Sequence, residues 1–256
     1  MTTLDVAWLV GWLGRFLWAL ARVGGLCLVV PVFGASVIPM RIRAALVVVL
    51  TAVLTPLAPA TANALGLAGM LDAVTQIAAG AAVGFVLKLV FEAVAFGGGL
   101  VGQSMGLGFA EVVDPQEGQN ANVLGQFYLI LVTLVFLALD GHLQLVALLA
   151  DSFRHLPAGA PGIDANGLHA VLVFVSQLFG GAVRVALPAM TALLVVNVGF
   201  AAISRAAPSM NLFAVGFPIS VTLGFVALWF SLRALPGAFD ALQTDAWALM
   251  RQLFGG

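Results

Sequence analysis

Long runs of apolar residues, broken at intervals by proline, glycine and charge, divide this chain into segments at roughly 6–30, 42–60, 71–101, 123–150, 169–203 and 212–233. They lack the strict alternation of a half-buried strand and are too long for barrel strands. Each is long enough to cross the hydrocarbon core of a bilayer as a helix of about 20 residues. Backbone in hydrocarbon must satisfy its own hydrogen bonds, so the segments are predicted to be helical and the fold class is all-α. A last stretch, DALQTDAWALMRQLF, puts Leu242, Ala246, Leu249 and Leu253 on one face, with Asp245 and Arg251 among its polar positions. It reads as an amphipathic helix destined for an interface or a partner helix.

Composition makes the solvent of this chain a lipid bilayer. Hydrophobic residues are 62% and charged residues 8% of the 256, and the mean hydropathy is +1.12. Soluble domains are about 45–50% apolar. The length suits about six spans and leaves no room for a separate soluble domain, so residues 1–256 are read as one membrane domain. Ten basic and eleven acidic residues give a net charge of −1, which offers no basic surface to nucleic acid. The single cysteine, Cys27, has no partner in the chain. Ala19-Leu20-Ala21 resembles a signal cleavage site, but the leading MTTLD carries an acid and no base, and Arg15 interrupts the apolar run. The first span is expected to be retained.

Several spans carry charge. Arg15 and Arg22 lie seven residues apart on nearly one helix face, Lys88 and Glu92 share the third segment, and Arg184 precedes Pro188 in the fifth. A mid-span Arg, Lys or Asp costs roughly 2.5–3.5 kcal/mol on insertion, against a gain of about 0.3–0.6 for an Ile, Leu, Phe or Val. These five are therefore expected to be buried against protein or to meet water, with Lys88 and Glu92 able to pair and the arginines served by other chains. The positive-inside count is tied: Arg154, Arg233 and Arg251 fall on one side, and Arg41, Arg43 and Arg205 on the other. Gly98, Gly102 and Gly106 form a ladder at four-residue spacing, as do Gly80 and Gly84, and such ladders let helix backbones approach closely. These ladders are a packing signal.

GQSMG at 102–106 matches the G-x-S-x-G pattern of serine hydrolases. A nucleophilic Ser104 needs a histidine base in reach, and the chain offers only His142, His155 and His169. In a chain with 29 glycines the pattern is weak, and two of its glycines belong to the packing ladder. No catalytic residue is assigned. GLGFAEVVDPQEGQNANV follows, with Glu111, Asp114 and Glu117 and no base, and Asp114 precedes Pro115, which disfavours helix. This is a loop. Its apolar first half, with Met105, Gly106, Gly108 and Phe109, is greasy for a solvated connection and suits something that opens and closes.

GLVGQSMGLGFAEVVDP, LVFLALDGHLQLVALLADSFRHLP, ISRAAPSMNLFAVGFPISV and PVFGASVIPMRIRAAL together resemble the FliR family, the flagellar biosynthetic membrane proteins of the type III export gate. The resemblance extends over nearly the whole chain. Helices packed as hairpins and covered by neighbouring subunits are what it implies for the fold. It implies a non-enzymatic gate subunit in the bacterial inner membrane at the flagellar basal body, assembled with FliP-type and FliQ-type subunits and joined by FlhB-type and FlhA-type components. Secreted flagellar proteins would be the cargo, and no cofactor is implied. The resemblance further implies that residues 106–122 lie in the closed pore as a plug, with Phe109, Asp114 and Pro115 matching the family's pattern. A proline often found near the loop's end is absent, and QNANV stands there. The match around GFAEVVDP favours flagellar over virulence-type secretion.

Asp140-Gly141-His142 could be read as acid/base or metal chemistry, but a lone histidine beside a glycine in an apolar run more often packs, and no metal site is assigned. Arg205, Pro208 and Asn211 break the chain before the sixth segment, as a capped turn and a contact point for a neighbouring subunit. A solute transporter using Lys88, Glu92 and Arg184 is the alternative reading, and an intramembrane serine protease at Ser104 a remote one.

Overall fold

The structure is a computed structural model, and it describes residues 6–34, 38–59, 66–108, 122–157, 162–206 and 212–254. Among them every regular element is helical. The helices are α1 (Val6–Val29), α2 (Pro31–Gly34), α3 (Met40–Leu54), α4 (Leu67–Ser104), α5 (Val123–Ala138), α6 (Gly141–His155), α7 (Ala165–Phe174), α8 (Ser176–Ala206), α9 (Leu212–Ser231) and α10 (Leu235–Leu253). Four stretches are long and apolar enough to cross a membrane, or up to six if each of two bent helix pairs counts as one span.

Helix boundaries follow local chemistry. Pro39 precedes α3 in extended conformation (φ −54°, ψ 140°), and its carbonyl accepts from the amides of Ile42 and Arg43. Pro56 sits where a missing N–H is harmless, in the first turn of the 3₁₀ extension Thr55–Leu57. The Asp164 carboxylate caps α7, accepting from the Gly167 amide at 2.7 Å. The fourth apolar segment, expected to be continuous over 123–150, is interrupted at Leu139-Asp140. Asp140 is left-handed (φ 55°), and a Cβ on Gly141 would lie 2.5 Å from Cδ2 of Phe136. Asp is one of the few side chains that tolerates this backbone region.

The chain forms two compact units, each drawn from several stretches of sequence. The first comprises residues 1–89, 136–175 and 245–256. Its core is built by Trp18, Val23 and Leu26 of α1, Val83 and Leu87 of α4, Leu145, Leu149 and Phe153 of α6, and Met250 with Phe254 at the chain's end. Here α1 and α4 touch backbone to backbone: a Cβ on Gly80 would overlap the Arg22 carbonyl and lie 2.9 Å from the Leu26 nitrogen, and one on Gly84 would lie 2.9 Å from the Leu26 oxygen. Packing this close needs glycine.

The second unit comprises residues 90–135 and 176–244. Gly97 of α4 meets Ala182 and Val185 of α8, Gly181 of α8 meets Leu242 of α10, and the rings of Phe91 and Phe239 stack edge to face at 5.8 Å. The buried Tyr128 hydroxyl and Ser231 Oγ share a hydrogen bond of 3.1 Å. Pro188 and Pro218 lie inside α8 and α9. The apolar face of α10, read as destined for an interface or a partner helix, is covered by this chain: Leu242, Ala246, Leu249 and Leu253 are all buried.

Candidate functional site

The loop region singled out by the sequence is rooted in the second unit at both ends. At its start, α4 closes with paired bonds from the Leu107 amide to the Gly102 carbonyl and from the Gly106 amide to the Gln103 carbonyl, both 3.0 Å. Gly106 has φ 85°, the left-handed residue that ends a helix in this pattern. Met105, expected at a mobile tip, is instead fully buried. It fills a notch at Gly224 of α9, where a Cβ would lie 2.6 Å from Met105 Cγ and 3.0 Å from Sδ. Met105 is therefore an anchor, because the bare backbone of Gly224 leaves room for its side chain.

At the far root, the Asn122 side-chain oxygen accepts from the Gly125 amide at 2.9 Å and caps α5. Where QNANV lacks the proline, its Asn122 caps the helix. The Asn122 amide also lies against α4, 2.9 Å from where a Cβ on Gly99 would be. A small cavity of about 70 Å³ between the roots is lined by Gly102, Leu107, Gly108, Asn122 and Leu124 among others. Phe109, Glu111, Asp114 and Pro115 lie outside the described residues.

The three glycines of the ladder have three different roles. A Cβ on Gly98 would lie 2.7 Å from the Leu124 carbonyl and 2.8 Å from the Tyr128 ring. One on Gly102 would meet Leu124 at an ordinary 3.6 Å. Gly106 lies beyond the helix, where its positive φ calls for glycine. Between them, the Ser104 hydroxyl donates to the Leu100 carbonyl at 2.8 Å, a common use of serine inside an apolar helix. Its proton goes to backbone rather than to a base. Gly98→Ala is expected to lower the thermal stability of the purified chain clearly, whereas Gly102→Ala and Ser104→Ala stay close to the native chain. Equal loss for Gly98→Ala and Gly102→Ala would show that the ladder acts as a unit after all.

Of the five charges expected to be buried, Arg22 alone is fully so. Its Nε donates to Gln76 Oε1 at 2.8 Å, its Nη1 to Ser152 Oγ at 2.9 Å, and its Nη2 to the Leu156 carbonyl at 2.6 Å and also to Gln76 Oε1. The guanidinium lies 4.7 Å from the Trp18 ring centre and 4.8 Å from that of Phe153. Arg22 was expected to need another chain, but its own chain supplies a full set of neutral acceptors. Arg15 is half-buried, with an Nε that finds no partner among the described residues. Lys88, Glu92 and Arg184 are exposed on the surface of this chain, so this chain's own atoms do not bury them. Lys88 and Glu92 do not pair: among the described residues the only ion pair is the exposed Asp151–Arg154. The transporter reading needed these three as an enclosed pathway, and this chain alone does not enclose them.

Residues 13–246 match the bacterial export proteins, family 1. The chain belongs to that family. The flagellar biosynthetic protein FliR of Pectobacterium carotovorum subsp. carotovorum is 34% identical over 246 residues, covering 96% of this chain and 94% of that relative. FliR of Escherichia coli (strain K12) is also 34% identical, over 91% of this chain and 88% of that protein. FliR of Aquifex aeolicus (strain VF5) is 32% identical over 79% of each. The FliR resemblance read from four sequence blocks thus extends from the first helix into the last.

Within this FliR-type chain, Asp140-Gly141-His142 marks a helix break. His142 is half-buried and its Nδ1 has no partner among the described residues. Among the described residues no group of three His, Cys, Asp or Glu side chains is placed to hold a metal ion. Arg205 is exposed in the last turn of α8, and Pro208 and Asn211 lie outside the described residues. Three contributors escaped the sequence reading: Gln76, Ser152 and Gly224. Gln76 and Ser152 lie 54 and 130 residues from Arg22, with no local pattern linking them.

Proposed function

We propose that this chain is a non-enzymatic membrane subunit of the flagellar protein export gate and that residues 106–122 help close its pore. The observation that carries the reading is the near full-length similarity to proteins named flagellar biosynthetic protein FliR. The partners in this reading are FliP-type and FliQ-type gate subunits with FlhB-type and FlhA-type export components, in the inner membrane at the basal body. The cargo is unfolded flagellar protein.

The roots of the loop support a closing role. Met105 in the Gly224 notch and Asn122 on the first turn of α5 tie both ends to one compact unit. An element that opens and shuts works best from fixed roots, with its freedom confined between them. Gly106 and Gly108 supply backbone freedom beside the first root. Deleting the gene in its own host should abolish swimming and stop release of filament protein into the medium, and a plasmid copy should restore both. Normal motility of the deletion strain would overturn the reading.

A further inference from the structure

Between α6 and the end of α10, wholly within the first unit, lies a cavity of about 310 Å³. Its floor is made by Ser152, Trp247 and Phe254, all buried, and its rim carries the exposed Asp151, His155 and Arg251. Helical spacing explains the arrangement. Residues 148, 151, 152 and 155 share one face of α6, and 247 and 251 stand one turn apart on α10. The cavity is therefore largely apolar below and charged at its mouth, a combination that fits an amphiphile better than a free ion.

The charge behind the floor is unbalanced. Arg22 touches two of the floor residues: its Nη1 donates to Ser152 Oγ at 2.9 Å, and its guanidinium lies 5.8 Å from the Phe254 ring centre. All of its acceptors are neutral, and no carboxylate among the described residues pairs with it. Gln76 Nε2 and Trp18 Nε1, on side chains that also touch Arg22, are buried donors with no acceptor among the described residues. At the rim, Arg251 has no ion pair among the described residues, and the one acid, Asp151, already faces Arg154 at 3.6 Å. Buried charge in proteins is normally paired, so this surplus of donors and positive charge calls for an anion.

Helix ends of the first unit gather beside the cavity. A Cβ on Gly167, in the first turn of α7, would lie 3.2 Å from Leu253 Cδ2 at the end of α10, and one on Gly162 would lie 3.5 Å from Thr75 Cβ of α4. Asp72, Asp151, Arg154, His155 and Arg251 stand on these ends. In a membrane protein such a polar layer meets the headgroups, and a basic pocket there is suited to an anionic lipid.

We propose that the cavity between α6 and α10 binds the phosphate headgroup of an anionic phospholipid. Arg251 donates to the phosphate, Arg22 charges the floor from behind Ser152, and Trp247 and Phe254 pack on the glycerol and first acyl carbons. The inference needs only a chain seated in a membrane, so it stands apart from the export reading.

Binding is read on the purified full-length chain in detergent, from the lipid retained after washing and from the rise in melting temperature as lipid is titrated in mixed micelles. Phosphatidylglycerol should bind about tenfold more tightly than zwitterionic phosphatidylcholine, and Arg251→Glu should remove that advantage, about the worth of one charge-assisted hydrogen bond. Asp151→Asn should instead tighten phosphatidylglycerol, because it takes the acid off the rim. Arg233→Glu makes the same charge change at an exposed arginine that does not line the cavity, and should leave binding as it is. All three positions are exposed, so each variant should fold. Equal binding by the native chain, Arg251→Glu and Asp151→Asn would overturn the proposal, and so would an equal loss in Arg233→Glu. Inorganic phosphate that protects as well as phosphatidylglycerol would replace the lipid with a free anion. A photoreactive residue at Ala147, which also lines the cavity, should label lipid in native membranes. Labelling of another protein alone would overturn the lipid and make the cavity a subunit contact.

Discussion

Arg22→Ala should destabilise the chain by about 3–5 kcal/mol, the range of large truncations in a packed core with buried polar partners left behind. The size of the effect comes from what the arginine leaves behind. The Gln76 side-chain oxygen, the Ser152 hydroxyl and the Leu156 carbonyl all accept from the guanidinium in the interior of the first unit. Ser152 keeps its own bond to the Leu149 carbonyl, but the other two acceptors lose the guanidinium donor. The rings of Trp18, Phe153 and Phe254 around the guanidinium would line the resulting cavity. Arg22→Lys should fall between, because an ammonium keeps the charge but cannot reproduce a planar fork reaching three acceptors. Arg22→Met keeps much of the volume and still strands the acceptors, so it should recover only part of the loss. Thermal unfolding of the purified chain in detergent checks the order native, Lys, Met, Ala. An Arg22→Ala chain that melts with the native one would remove the cluster's claim to hold the unit together.

Shortening residues 109–121 while keeping Gly106 and Asn122 should leave the export complex assembled but permeable to ions. Both roots are made by residues outside the deletion: Met105 against Gly224, the glycine end of α4, and the asparagine cap of α5. These root contacts are therefore kept when the segment is shortened. An apolar constriction excludes ions by dewetting, and its removal is felt as conductance before it is felt as instability. Planar-bilayer recordings of native and shortened complexes, matched for assembly, make the comparison. A shortened complex as tight as the native one would reduce this loop to a connection. Gly224→Val is a companion case: it pushes Met105 from its notch, so it should loosen the same root without touching the loop's own sequence.

Two glycines and two charges illustrate how similar sequence signals came to mean different things. Gly98 and Gly106 are both members of one four-residue pattern. Backbone approach decides the first, where the Leu124 carbonyl occupies the place of a side chain, and a left-handed φ decides the second. Arg22 and Lys88 are both charges in apolar runs. The first is sealed by acceptors from α4, α6 and the residue following α6, while the second stays on the surface. Spacing along a helix says which residues share a face, but not what covers that face. The break at Asp140 was missed for a related reason: an Asp-Gly pair in an apolar run gives weak warning of a left-handed residue.

The sequence by itself determined the solvent, the helical class and the family. Hydrocarbon leaves a spanning backbone little choice but helix, and apolar runs of this length leave little doubt about hydrocarbon. The end of the third span was also legible to within a few residues: the apolar segment runs to about 101, and α4 ends at Ser104. Tertiary structure decided which charge is buried, which glycine is a packing contact and which ends a helix, and where Met105 goes. Those answers depend on residues distant in the chain, such as Ser152 for Arg22 and Gly224 for Met105, whose meeting is set by how helices pack and not by any pattern local to either one.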